Sequence, residues 1–165
     1  MLMKIALALL GLLILLGVLA LAGGRLGWWQ GQPPSDLGVK DGRLKAPSKT
    51  PNSVSSQALL HPGHVMQQAA MILPLALNGD AAATQAKLVQ VIAAMPGAQV
   101  VDQRPDYLYA RFSSRLMGYV DDVEFWADPA EGVIQVRSAS RLGRKDFEVN
   151  RQRIEAIRVA LAAAR

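Results

Sequence analysis

Two groups of residues in this 165-residue sequence have types and spacings that could do chemistry. The first is a run of donors. Arg137, Ser138, Ser140, Arg141, Arg144, Lys145, Asn150 and Arg151 fall within fifteen residues. Guanidinium groups, hydroxyls and a helix N-terminus all donate hydrogen bonds to anions. Such a run suits a lipid phosphate, a sugar acid or a peptide carboxylate, with Arg137, Ser138, Ser140, Arg141, Asn150 and Arg151 as the candidate ligand-binding residues. Asp146 and Glu148 dilute its charge, and the same residues could instead lock their loop onto Asp121 and Asp122.

The second group is Asp121, Asp122 and Glu124. Neighbouring strand residues point to opposite faces, so Asp122 and Glu124 share a face and Asp121 does not. Two carboxylates at this spacing fall short of a calcium site or an acid–base pair, and hydrolysis by Asp122 or Glu124 ranks below binding. Asp121 falls on the apolar side of its strand, where a buried charge needs a partner such as Arg141 or Arg151. Arg111, Glu124 and Arg137 could line up across adjacent strands as a partly exposed ion-pair row. Tyr107, Tyr109 and Trp126 would then cover the arginine stems.

Other chemistry is sparse. The chain has no cysteine, which excludes disulfides, thiol catalysis and cysteine-ligated zinc. Its two histidines, His61 and His64, are separated by Pro62-Gly63 and read as loop and helix-start residues rather than metal ligands. Ser53, Ser55 and Ser56 lack a recognisable base and read as turn caps. No metal or cofactor is expected. Net charge is +5 with a pI near 9.9, but acids alternate with bases and no nucleic-acid-binding motif is present.

The elements that position these residues follow from periodicity. Ile5 to Gly24 is a run of 20 residues without a charge, about 30 Å long as a helix, bracketed by Lys4 and Arg25 and followed by Trp28 and Trp29. It reads as a single membrane-spanning helix, with a cleaved secretion signal as the alternative. Residues 26–50, rich in proline and glycine, read as a linker, and residues 51–165 as one α+β domain. His64 to Leu77 is expected to begin as a helix, ended by Pro74. Asn78-Gly79-Asp80 marks the start of a second, with Leu88, Val91, Ile92 and Met95 on one face. Period-two alternation then gives four strands: Ala98 to Gln103, Tyr107 to Ser114, Val120 to Ala127 and Val133 to Ser140. Their short connections favour an antiparallel meander. A last helix, capped by Asn150, carries Ile154, Ile157 and Leu161 inward. The expected fold is a four-stranded antiparallel sheet packed on one face by helices, plus the N-terminal membrane helix.

These segments resemble a bacterial and plastid family known as domain of unknown function 1499. The resemblance is strongest in Tyr119-Val120-Asp121-Asp122-Val123-Glu124-Phe125 and Val136-Arg137-Ser138-Ala139-Ser140-Arg141-Leu142-Gly143. It continues through Asp146, Val149-Asn150-Arg151-Gln152-Arg153-Ile154-Glu155 and Ile157-Arg158, with Pro51-Asn52-Ser53-Val54-Ser55-Ser56 upstream. The family pattern usually has cysteine where this chain has Ser53, so no thiol role carries over. The resemblance implies an extracytoplasmic or membrane-associated domain and supplies no reaction.

Together these observations lead to an envelope domain tethered in a bacterial inner membrane, its C-terminal part periplasmic. It would bind an anionic lipid or small anion, or alternatively act as an assembly partner of another envelope protein.

Overall fold

Nothing in the first 25 residues interrupts a helix, and α1 runs over Leu2–Arg25. The computed structural model describes residues 1–77 and 79–164; Asn78, part of the expected helix-start signal, lies outside them. No neighbour buries the apolar stretch of α1, and the helix is long and apolar enough to cross a membrane. Its last turn does meet the rest of the chain. Trp29 folds back, and its indole Nε1 donates to the Ala20 carbonyl at 3.0 Å.

The remainder is α+β. Strands β1 (Ser53–Ser55) and β2 (Leu75–Ala76) precede helix α2 (Ala81–Ala93). Then come β3 (Ala98–Gln103), β4 (Tyr107–Ser113), β5 (Val120–Asp128), β6 (Val133–Ser140) and helix α3 (Val149–Ala163). The sheet has six antiparallel strands, not four, in the order β1-β6-β5-β4-β3, with β2 also on β6. The two additional strands share the outer edge of β6, β1 against its C-terminal half and β2 against its start. With three and two residues they are too short to show an alternation.

Two further expectations change. The segment after His64 forms turns and then β2 rather than a helix. Asn150 does not cap α3 but lies inside its first turn, where the Asp146 carboxylate accepts from both its backbone N–H (2.9 Å) and its amide (2.8 Å). At α2 the expected start holds, because the Asp80 carboxylate accepts from the Ala83 N–H at 2.8 Å.

One sheet face carries Leu108, Phe112, Val123, Phe125 and Val136, and packs on Leu88 and Ile92 of α2 and Ile154, Ile157 and Leu161 of α3. The other face is polar yet mostly buried. A strap formed by residues 32–49 crosses it. Leu44 and Pro47 are buried in the strap, and the Leu44 N–H donates to Gln57 Oε1 at 2.8 Å.

Candidate functional site

Alternation along β4, β5 and β6 sends Tyr107, Tyr109, Asp122, Glu124 and Arg137 to the face beneath the strap. Glu124 stands opposite Arg137 in register, and the two pair at 3.4 Å, both sealed from bulk water. Glu124 Oε1 also accepts from the Tyr107 hydroxyl (2.9 Å) and from the Gly38 N–H of the strap (2.8 Å). Two residues along β5 the arrangement repeats. Arg141, just beyond β6, grips Asp122 with Nε at 2.9 Å and Nη2 at 2.7 Å, and the Tyr109 hydroxyl donates to the same carboxylate at 2.6 Å. The fork geometry is that of a strong, charge-assisted pair.

Burial and the neighbouring acids govern these groups. Burial and its bond to Asp122 push the Tyr109 hydroxyl up to about 12. Burial, followed by the charge of Glu124, raises Tyr107 further. Both phenols therefore stay protonated and act as donors. Burial pulls Arg137 down while Glu124 holds its charge in place, whereas the bond to Asp122 raises Arg141.

The expected ion-pair row is thus rearranged. Arg111, opposite Asp122 in register, turns instead to Gln99 at 2.6 Å. The Glu124–Arg137 pair is buried, not partly exposed, because the strap lies over it.

Between strap and sheet is a cleft of about 480 Å³, lined by Lys45, Lys49, His64, Asp122, Arg137 and Arg141 among others, with Ser140 at its edge. Arg137 donates Nε to the Ala46 carbonyl and Nη1 to Glu124, but its Nη2 makes no hydrogen bond among the described residues. Arg141 uses Nε and Nη2, leaving Nη1. Neither unused nitrogen is both sealed and orphaned, since His61 Nε2 alone has that status among the described side chains. Lys45 pairs with Asp36 at 2.6 Å, and Lys49 makes no ion pair among the described residues. Two guanidinium edges and one uncommitted ammonium therefore border the same space.

The other predicted ligand-binding residues lie on the helix-covered face. Ser138 bonds the Asn150 amide oxygen, and the Asn150 amide nitrogen donates to Asn52 O (3.1 Å) and Ser140 Oγ (3.0 Å). Arg151 donates to the Met71 and Ala69 carbonyls at 2.8 and 2.9 Å. Asp121, expected to find Arg141 or Arg151, pairs with Arg153, whose guanidinium also sits 4.7 Å from the Phe112 ring centroid. Arg153 was not among the candidate residues. Its position three after Asn150 on α3, one helical turn along, was the available signal. Here these side chains join the first turn of α3 to the sheet.

Ser53 and Ser55 belong to β1 rather than a turn, and Ser53 Oγ accepts from the Ser48 N–H of the strap at 2.8 Å. His64 Nδ1 accepts from the Met66 N–H at 3.2 Å. No group of three or more metal-ligating side chains occurs among the described residues.

The chain matches the model of the family described as protein of unknown function (DUF1499) over residues 35–161, and it belongs to that family. The matched region begins within the strap. No curated protein and no solved structure matches the chain.

Proposed function

We propose that this DUF1499 member is a membrane-anchored binding domain of the bacterial cell envelope, with α1 in the inner membrane and the sheet on the periplasmic side. The cleft beneath the strap takes an anionic group, a carboxylate or a phosphate, on Arg137, Arg141 and Lys49. The observation that carries this reading is the pair of unused guanidinium nitrogens. Arg137 is only 4% exposed and lines the cleft, and its Nη2 makes no hydrogen bond among the described residues. A largely enclosed guanidinium with an uncommitted N–H gains from a charged acceptor. Glu124 and Asp122 hold the two arginines in place, and Lys49 supplies positive charge with no ion pair among the described residues.

The test uses the full chain in nanodiscs, with thermal unfolding measured against added phosphate and citrate and native mass spectra recorded for retained small molecules. Phosphate or citrate at ten times its dissociation constant should stabilise the fold by about 1.4 kcal/mol. Lys49→Gln should weaken the effect several-fold. The double variant Glu124→Gln with Arg137→Gln, which removes both charges together, should abolish it while keeping the fold. A wild-type chain that retains no anion and unfolds at the same temperature in buffer, phosphate and citrate would overturn the reading.

A further inference from the structure

The end of α1 is packed directly on the sheet's loops, and that contact fixes how close those loops come to a bilayer. A Cβ placed on Gly24 would lie 2.7 Å from the Met117 carbonyl oxygen, and one on Gly118 would lie 2.7 Å from the Gly24 carbonyl oxygen. Both glycines are therefore needed for the approach, and Gly118 has a left-handed φ of 66°. The apolar run from Ile5 to Gly24 spans about 30 Å, so Gly24 marks the edge of the hydrocarbon when α1 crosses it. The β4–β5 loop, in contact with Gly24, must lie at the same depth.

A second loop shares this end of the sheet. The Arg141 N–H donates to the Val120 carbonyl at 3.0 Å, and a Cβ on Gly31 would lie 2.9 Å from Arg141 Cβ. The two loops expose Leu116 (69%), Leu142 (41%) and Phe147 (85%). Phe147 and Glu148 both have left-handed backbones, with φ of 53° and 66°, a rare conformation for a bulky residue. Arg115, Arg144 and Lys145 are exposed between these apolar side chains. Of the nearby acids, Asp146 is engaged by Asn150 and Glu148 by Arg151 at 3.0 Å. Apolar side chains alternating with basic ones at the depth of the headgroups fit an interfacial membrane surface.

We infer that the β4–β5 loop and the loop leading into α3 dock on the anionic lipid surface of the membrane that holds α1. Leu116, Leu142 and Phe147 enter the interface, and Arg115, Arg144 and Lys145 lie among the phosphates. The docking surface is separate from the cleft beneath the strap and would survive that site's failure.

The absence of native cysteine makes the test direct. Leu116→Cys, Phe147→Cys and, in the β5–β6 turn at the opposite end of the sheet, Ala130→Cys are each labelled with a polarity-sensitive fluorophore in the full chain. Nanodiscs contain phosphatidylcholine with or without phosphatidylglycerol, and acyl-brominated lipid serves as quencher. The expected result is quenching at positions 116 and 147, stronger with phosphatidylglycerol, and none at 130. Combining Arg115→Glu with Arg144→Glu should lower the docked-to-undocked ratio at position 147 by about fivefold or more. Labels at 116 and 147 as unquenched as the one at 130, in both lipid mixtures, would overturn the inference. Quenching indifferent to phosphatidylglycerol and to the two charge reversals would overturn the anionic surface as the partner.

Discussion

Glu124 is fully enclosed and takes three donors, from Tyr107, Gly38 and Arg137. Its removal strands a buried guanidinium, and the removal of Arg137 strands a buried carboxylate. Glu124→Ala and Arg137→Ala should each cost about 3–5 kcal/mol in urea unfolding, and their double variant much less than the sum. Additive losses would show that the two charges do not depend on each other. His61 makes a different prediction. Burial, then the charge of Arg43, lowers its pKa from 6.5, and its Nε2 has no partner. A lowered histidine pKa means that the unfolded chain takes up the proton first as pH falls. Stability is therefore complete above about 6.5 and declines as pH drops through that value towards the folded pKa. The urea midpoint should fall between about pH 7.5 and 5.5, and His61→Gln should flatten that slope. Asp36, lowered chiefly by its bond to Lys45, acts only below its ordinary 3.8 and does not interfere.

The strap is the element on which the candidate site depends, and it is the least legible in the sequence. Its bonds to the sheet and to Gln57 beyond β1 come from backbone groups of Gly38, Leu44, Ala46 and Ser48, which leave no periodic side-chain signature. Lys45 and Lys49 could not be assigned to the site for that reason. Arg137, Asp122 and Glu124 were legible because the alternation in β5 and β6 fixes their face and register, whereas Arg141, one residue past β6, was expected at Asp121 and pairs with Asp122 instead. β1 and β2 were not, being shorter than one readable period. The helix expected after His64 fails for a specific reason. The carbonyls of Ala69, Met71, Leu73 and Pro74 accept from Arg151 and Arg158 of α3, so this segment's backbone is satisfied by distant guanidinium groups rather than by helical N–H groups. The apolar spacing of Met66, Ala69, Ala70 and Leu73 alone could not reveal that. Leu44→Ala tests how tightly the strap is held. It should cost about 2–5 kcal/mol, with the loss of amide protection greatest at Gly38 and Leu44 themselves. Unchanged protection at both amides would mean that the strap is held by its polar bonds alone.

For the molecule as a whole, the contact between α1 and the β4–β5 loop decides whether the sheet is carried against the end of the apolar helix or hangs free of it. Residues 26–50 could have served as a loose tether. Instead the chain leaves α1 through Trp28 and Trp29, folds against the helix end, passes Arg141 and Leu142 at Gly31, and then becomes the strap. The β4–β5 loop is thus held against the end of α1 by two close-approach glycines. Gly118→Ala should separate them, but it also introduces a backbone penalty at a positive φ. Gly132 provides the control, with φ of 64° against 66° at Gly118 and nothing within 4 Å of an added Cβ. Both substitutions carry a similar conformational cost of about 1 kcal/mol. Only the one at 118 meets the helix. In nanodiscs, Gly118→Ala should therefore accelerate amide exchange across residues 114–119 several-fold more than Gly132→Ala does across its own turn, while β5 and β6 keep their protection. Equal acceleration at the two turns would mean that the helix end does not hold the β4–β5 loop.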